Sequence, residues 1–198
     1  LLHASAMSRQ DSVLQERLQR RERGWERDLR AAVATRSAGV GLFGGEQFAR
    51  TRIGIKWPND LYASGKKLGG ILVERAVGTV IGIGLNIHVA PPETGEVAAS
   101  CLDDLAGEVI DRTSVALAIL RALESRYQSL LDDGLAELVD EWRRRAILIG
   151  ETVVVDTAQS QHRGTLVAAD PLDGLALRLE TGSALTLAPR DVQQLRRG

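Results

Sequence analysis

Cysteine is nearly absent from this sequence of 198 residues, in which Cys101 is the one cysteine. A single thiol excludes an internal disulfide and any zinc site built from several cysteines. It is also typical of proteins from a reducing compartment, which favours a cytoplasmic location. The histidines are few and widely separated, at His3, His88 and His162, so we do not expect a metal site.

Long apolar runs and a strong charge bias are lacking as well. No run is long enough to cross a bilayer, and residues 1–9 lack the charged-then-apolar layout of a signal peptide. The formal net charge of -1 gives no general attraction for a nucleic acid or a membrane surface. With 44% hydrophobic and 26% charged residues, the chain has the composition of a globular protein with a core. We therefore expect a soluble, cytoplasmic protein without a DNA or membrane partner.

The first fifty residues predict one helix followed by a loop. Apolar residues recur with helical spacing over residues 10–36, and the opposite face mixes arginine and glutamate, as solvated helix faces do. Residues 39–44 match the G-x-G-x-x-G pattern of dinucleotide-binding proteins. A predicted helix precedes this pattern where a strand is required, and too few residues follow it for a crossover helix. We therefore do not expect dinucleotide binding here.

From residue 52 the pattern changes to the alternation of strands. Turn residues separate short apolar segments, which predicts an antiparallel meander over Ile53–Ile55, Leu61–Tyr62, Leu68–Arg75 and Val80–Val89. An amphipathic helix is predicted over residues 113–131, with Thr113 or Ser114 as its N-cap, and a second helix to about Arg145.

Gly150 marks a change from helices to four or five short strands separated by Gly or Asp. Such a segment predicts a small barrel rather than another α/β layer. The predicted fold class is α/β (α+β): a catalytic domain over residues 1–149 with a mixed or antiparallel sheet and flanking helices, and a small all-β SH3-like barrel over residues 150–198. Residues 1–51 are the atypical part of the first domain.

Two segments of the meander concentrate the residues that could carry chemistry. The first runs from Lys56 to Glu74 and includes a Trp-Pro-Asn-Asp turn and two adjacent lysines, and the second is Gly82–Asn86. A lysine at the start of a strand is a movable point charge suited to a phosphate or carboxylate. Glycines in a strand let a ligand approach the backbone. A plain hairpin turn with surface lysines would also explain Lys66 and Lys67, and these residues alone leave both readings open.

In order and spacing these residues resemble the biotin protein ligase family. The family motif Lys-Trp-Pro-Asn-Asp corresponds to Lys56–Asp60, a lysine seven residues later to Lys67, Gly-Ile-Leu-x-Glu to Gly70–Glu74, and Gly-x-Gly-x-Asn to Gly82–Asn86. The helical pair and the C-terminal strands follow in the family's order, so the resemblance covers about residues 52–198.

The resemblance implies ATP-dependent formation of biotinyl-5′-AMP, with Mg²⁺, and transfer of biotin to a lysine of a biotin carboxyl carrier protein. It implies that Lys67 and Asp60 are catalytic and that Lys66 is not. It also implies a set of binding residues for biotin and the nucleotide: Lys67, Gly69, Gly70, Ile71, Trp57, Asn59, Gly82, Gly84 and Asn86. The winged-helix repressor domain of some family members is not expected, and a homodimer is left open.

The first 51 residues depart from the family pattern. No Ser/Thr-Thr-Asn segment is present, and Arg20–Trp25 is only a faint match to the family's glycine-arginine loop. That loop closes over the adenylate, so we expect a poor ligase from this chain as it stands. Two other functions are kept open: a binding relic that holds biotin or adenylate without activating it, and a relative of the lipoate or octanoyl transferases, which the intact Lys56–Asp60 motif disfavours.

Overall fold

The computed structural model describes residues 53–75, 79–92, 98–133 and 136–198. Within these ranges the chain forms four strands, then three helices, then five strands. The sequence predictions for residues 10–36 and 37–50, including Arg20–Trp25, lie outside the described residues. The predicted combination of α and β structure with antiparallel sheets is confirmed.

The first sheet is the predicted antiparallel meander, in the order β1-β2-β3-β4. Its strands are β1 (Ile53–Lys56), β2 (Asp60–Ala63), β3 (Lys66–Arg75) and β4 (Thr79–Leu85). The prediction that β4 extends to Val89 is wrong. Asn86 N still donates to Leu68 O of β3 (2.9 Å), but the carbonyls of Asn86 and Ile87 accept hydrogen bonds from Leu102 N and Asp103 N (2.9 and 3.0 Å), so the chain turns from β3 to the start of α1.

Three helices follow: α1 (Leu102–Ala106), α2 (Arg112–Asp133) and α3 (Ala136–Arg145). The predicted helical pair is confirmed, but the predicted N-cap of α2 is wrong. The helix begins at Arg112, and the side chain of Asp111 accepts a hydrogen bond from Ser114 N at 2.7 Å. Asp111 therefore occupies the N-cap position. No described helix combines the length and the apolarity needed to cross a membrane.

One face of the first sheet is buried in the core, where Ile53, Ile55, Leu61 and Ile71 are at most 7% exposed. Helix α3 packs against β1 at this buried face. Its buried residues Leu138, Val139 and Trp142 share one face of the helix. Trp142 meets Trp57 edge to face, with ring centroids 5.7 Å apart. Because side chains alternate along a strand, the residues next to these buried ones point away from the core.

The second sheet contains β5 (Thr152–Thr157), β6 (Gln161–Asp170), β7 (Gly174–Leu179), β8 (Ala184–Leu187) and β9 (Val192–Arg197). It is antiparallel in the order β8-β7-β6-β5-β9. The prediction of four or five short strands after Gly150 is confirmed. Alternate residues of these strands point inward and form the core of the sheet: Val153, Val155, Leu166, Leu175, Leu177 and Leu195.

Candidate active site

The Trp57–Asp60 turn places Asp60 on the face of the first sheet that points away from the core. Trp57 is 3% exposed and anchors the turn, and the Trp57–Pro58 peptide bond is cis. On leaving the turn, Asp60 pairs across the strands with Lys56, and Leu61 pairs with Ile55. Because Leu61 and Ile55 are buried, strand alternation places Lys56 and Asp60 together on the opposite face.

A β-bulge in β3 brings Lys67 to the same face. Leu61 pairs with Gly69, but the next residue of β2, Tyr62, pairs with Lys67, so Leu68 is an extra residue on β3. Leu68 is fully buried. A bulge of this kind re-aims the neighbouring side chains. The Lys67 ammonium consequently lies 2.7 Å from Asp60 Oδ1, with the two side chains 37% and 25% exposed.

The two adjacent lysines have different surroundings in the structure. Lys67 pairs with Asp60, whereas Lys66 is exposed at the very start of β3, opposite Ala63. The functional assignment of Lys67 over Lys66 stays a prediction.

The main chain of Lys67 is held from its other side by the segment that precedes α1. Lys67 N donates to Ala98 O (2.8 Å), and Ser100 N donates to Lys67 O (2.9 Å). The side-chain amide of Asn86 donates to Ser100 O at 3.0 Å and lies 3.4 Å from Lys67 O. In the described structure, Asn86 therefore positions the backbone that carries Lys67.

Beside the ion pair lies an open surface lined by glycines, which we call the glycine face: Gly70, Gly82 and Gly84, with Leu72. Gly70 pairs with Gly84 and Leu72 with Gly82, so the four residues share one face. Gly82 and Gly84 are exposed, and Leu72 is 58% exposed. A Cβ placed on Gly82 or Gly84 would meet nothing nearer than 3.7 or 3.8 Å. The glycines here therefore leave room above the sheet rather than relieving a collision.

Gly69 and Gly70 differ from those two glycines. A Cβ on Gly69 would collide with the carbonyl oxygen of Gly84, so this glycine permits the close approach of β3 and β4. A Cβ on Gly70 would lie 3.0 Å from Asp60 Oδ1 and 4.0 Å from Lys67 Cε. Gly70 therefore makes the space in which the ion pair forms.

Lys56 and Tyr62 are part of this site, although sequence reasoning did not select them. The Lys56 ammonium lies 5.5 Å from the centroid of the Tyr62 ring. Burial lowers the pKa of Lys56, an effect that Asp60 opposes and the charge of Lys67 reinforces. Burial and the neighbouring Asp60 raise the pKa of the Tyr62 hydroxyl. Lys56 could have been selected as the first residue of the Lys56–Asp60 motif, and Tyr62 because it lies two residues after Asp60, on the same face of a strand.

The remaining predicted site residues support the surface from below or from the side. Asn59 pins the turn to β3, because its side-chain amide donates to Ile71 O and its carbonyl accepts from Ile71 N (3.0 Å). The side chains of Trp57 and Ile71 lie in the hydrophobic core, at 3% and 1% exposure. Ligand contacts by these three residues stay predictions.

The site offers two cations and one carboxylate around an open, glycine-lined surface. That arrangement can hold an anionic group, because the two amines exceed the single carboxylate in charge. Within the described ranges, no group of three or more His, Cys, Asp or Glu side chains could hold a metal ion.

The sequence and fold match known proteins in this region. Residues 26–88 match the model of the biotin/lipoate A/B protein ligase family. The chain is 34% identical over 166 residues to the bifunctional ligase/repressor BirA of Bacillus subtilis, covering 79% of this chain and 49% of that protein. It is 37% identical over 145 residues to the biotin–[acetyl-CoA-carboxylase] ligase of Mycobacterium tuberculosis, covering 72% of this chain and 53% of that one. The chain belongs to the biotin protein ligase family.

Solved biotin protein ligases share its fold. A structure of the Aquifex aeolicus biotin protein ligase superposes with a TM-score of 0.74 at 23% identity, over 89% of this chain and 77% of that one. The same enzyme in complex with biotin and ATP gives a TM-score of 0.71 at 22% identity, over 87% and 72% of the two chains. This chain spans about half the length of the curated family members named above.

Proposed function

We propose that this protein is a biotin protein ligase, which forms biotinyl-5′-AMP from biotin and ATP and transfers the biotinyl group to a lysine of a biotin carboxyl carrier domain. The observation that carries the proposal is the Lys67–Asp60 pair, with 2.7 Å between Nζ and Oδ1, at the edge of the glycine face. The names and ligands of the family members support the choice of substrates.

In the first step, a carboxylate oxygen of biotin attacks the α-phosphorus of ATP. The bond from that phosphorus to the bridging oxygen breaks, and pyrophosphate leaves with the electron pair. Negative charge grows on the oxygens around phosphorus, and the Lys67 ammonium stabilises it from its position beside the glycine face. Loss of one such preorganised donor commonly costs about a hundred- to a thousand-fold in rate.

In the second step, the amine of the carrier lysine attacks the carbonyl carbon of the mixed anhydride, and AMP leaves. The carrier lysine attacks as a neutral amine, so its ammonium first gives one proton to water, and the nitrogen releases a second proton to water when the amide bond forms. Asp60, which already bonds the Lys67 ammonium, lies where it can attract the cationic amine of the carrier toward the adenylate. Lys67 would again stabilise the departing phosphate.

Gly82 and Gly84 give the ligand access to the backbone of β4, and Leu72 supplies an apolar wall. Mg²⁺ would enter as part of the ATP substrate, since this ion is bound mainly through phosphate oxygens and waters in nucleotide-dependent enzymes. We further propose that residues 150–198 form a separate SH3-like barrel. Their five short antiparallel strands bury alternate side chains on one face, and β9 returns to pair with β5.

The test is the transfer of labelled biotin to a carrier domain with saturating ATP and Mg²⁺. Lys67→Met should reduce the rate at least about a hundred-fold, and Lys66→Met, the matched control on the adjacent residue, should leave it unchanged. Equal losses from both variants would refute the assignment of Lys67.

The same assay with labelled lipoate or octanoate separates this function from that of the lipoate-handling relatives. Transfer of those acids in preference to biotin would replace the proposed substrate. Slow turnover of the unaltered chain is expected, because residues 1–51 lack a recognisable glycine-arginine loop. Binding of biotin or AMP without any transfer would support the alternative of a catalytically impaired relic.

A further inference from the structure

Lys56 is the second amine of the site, and the two reaction steps above give it no role. It is the last residue of β1, directly opposite Asp60 across the strands. Its ammonium lies against the Tyr62 ring, 5.5 Å from the centroid, and its side chain is partly buried. Lys67 contacts the Asp60 carboxylate from β3.

We propose that Lys56 is a positioning residue: held on the ring of Tyr62, it keeps the Asp60 carboxylate in place when the Lys67 ammonium turns from Asp60 to the reacting phosphate. This inference rests on the proposed function and concerns the same site. It adds a residue pair, Lys56 and Tyr62, to the groups needed for adenylate formation.

The argument begins with the charge on Asp60. Lys67 has to approach the α-phosphate to stabilise its developing charge, and its 2.7 Å contact with Asp60 then lengthens. Without another cation among the described side chains of the site, the carboxylate would face a negatively charged phosphate with less positive charge from the protein to offset the repulsion. Lys56 is the charge that remains opposite Asp60 on the neighbouring strand.

Lys56 is suited to a fixed position and Lys67 to a moving one. An ammonium over an aromatic ring is attracted by the ring's electron-rich face, so Tyr62 holds Lys56 close to the sheet. The Lys67 side chain is 37% exposed, and its flexible stem can turn without a cavity being opened.

The charged groups around Lys56 give it a recognisable pH dependence. Asp60 and Lys67 act on it from β2 and β3, and Tyr62 lies beneath it. Helix α3, which packs on β1, ends at Arg145, whose charge is already paired with Glu141. Burial keeps the pKa of Lys56 below that of an ordinary lysine. As pH rises, Lys56 therefore loses its charge before an ordinary lysine would. A rate that depends on this charge decreases on the alkaline side of the pH profile.

Four variants test the role by pyrophosphate release, which reports adenylate formation alone. Lys56→Met should lower kcat roughly tenfold, less than loss of a group that touches the phosphate, with the KM for biotin within about twofold. Lys56→Arg should restore most of the rate and move the alkaline limb of the pH profile upward, because arginine keeps its charge. Tyr62→Leu, which removes the ring, should resemble Lys56→Met, and Tyr62→Phe, which keeps the ring, should lose clearly less rate than Tyr62→Leu.

A merely structural role predicts a different result: loss of rate in Lys56→Arg as large as in Lys56→Met, with the alkaline limb unmoved. That result, or an unchanged kcat in Lys56→Met, would overturn the inference while leaving the proposed function intact.

A measurement on the unaltered chain does not depend on turnover. The Lys56 ammonium is titrated by NMR with and without AMP, and the signal is assigned by its loss in Lys56→Met. AMP should raise the pKa of Lys56, because it adds negative charge and draws Lys67 away. A raised pKa in a chain that forms no adenylate would refute the ligase proposal and support the Lys56 assignment. Bound AMP with no change in that pKa, or no AMP binding, would refute the assignment.

Discussion

The two sheets of this protein arrange their charged side chains differently. In the second sheet, two arginines each pair with one carboxylate: Arg196 with Asp156 at 3.0 Å, and Arg163 with Glu180 at 3.3 Å. On the first sheet, the amines of Lys56 and Lys67 lie on the face that carries the Asp60 carboxylate. Matched surface pairs contribute modestly to stability and have little charge left for a ligand. Among the described side chains, the two amines beside Asp60 leave positive charge for an anion, which favours the first sheet as the proposed binding surface.

The glycines of the two sheets differ in the same sense. A Cβ on Gly164 would lie 2.6 Å from the carbonyl oxygen of Arg178, so the second sheet needs this glycine for strand packing. Gly82 and Gly84 of the first sheet have no such neighbour and leave space instead. Glycines in strands can thus be required for different reasons. Strand packing explains Gly164 but not Gly82 and Gly84, so only these two support a ligand surface.

The largest effect is expected from the core beneath the site. Trp142→Ala should lower the free energy of unfolding by about 3–5 kcal/mol, because a fully buried indole and its contact with Trp57 are lost. Biotin binding should be lost with it, since Trp57 anchors the turn that carries Asp60. Urea unfolding and biotin titration measure the two effects.

The matched variant lies in the second sheet. Leu177→Ala removes a side chain that is equally buried and should cost about 2–5 kcal/mol, while biotin affinity at low temperature stays the same. If Leu177→Ala weakened biotin binding as much as Trp142→Ala does, the functional separation of the two sheets would be lost.

An intermediate effect is expected from the two kinds of glycine. Gly84→Ala should weaken biotin binding roughly tenfold by narrowing the glycine face, with little change in unfolding free energy. Gly164→Ala should do the reverse and destabilise the protein by about 1–3 kcal/mol, because the strands must move apart. Isothermal titration with biotin and urea unfolding of both variants give the comparison. The proposed difference between the glycines would be wrong if Gly84→Ala were the destabilising variant and Gly164→Ala the one that binds biotin poorly.

Sequence periodicity was sufficient for the strands of the first sheet, the helical pair and the short strands after Gly150, because each leaves a local apolar pattern. The motif residues Asp60 and Lys67 could likewise be selected from order and spacing. Helix α1 was missed because five residues are too few to show a period.

The contact between Lys67 and Asp60 could not be derived from alternation, because it depends on the bulge at Leu68. In an unbulged β3, Lys67 would share a face with Gly69 instead of Gly70. The bulge is a property of the pairing between β2 and β3, which the residues of β3 alone do not specify. The place of Lys56 in the site follows from the pairing of β1 with β2, in which Lys56 lies opposite Asp60.

The smallest effect concerns a matched pair of the second sheet. Hydrogen bonds from Gln161 and Arg196 hold the pKa of Asp156 below its ordinary value. Because the folded chain binds this proton less readily than the unfolded chain, the contribution to stability is present above the unfolded pKa, about 3.9, and is lost as pH falls through the folded pKa. Asp156→Asn should therefore lower the melting temperature slightly at pH 7 and not at about pH 2, with biotin transfer unchanged at pH 7. Glu180→Gln, in an ion pair whose carboxylate is 75% exposed, is the control and should change neither value. A loss of biotin transfer in Asp156→Asn would contradict the expectation that the ion pairs of the second sheet affect stability and that the charges of the first sheet bind the ligand.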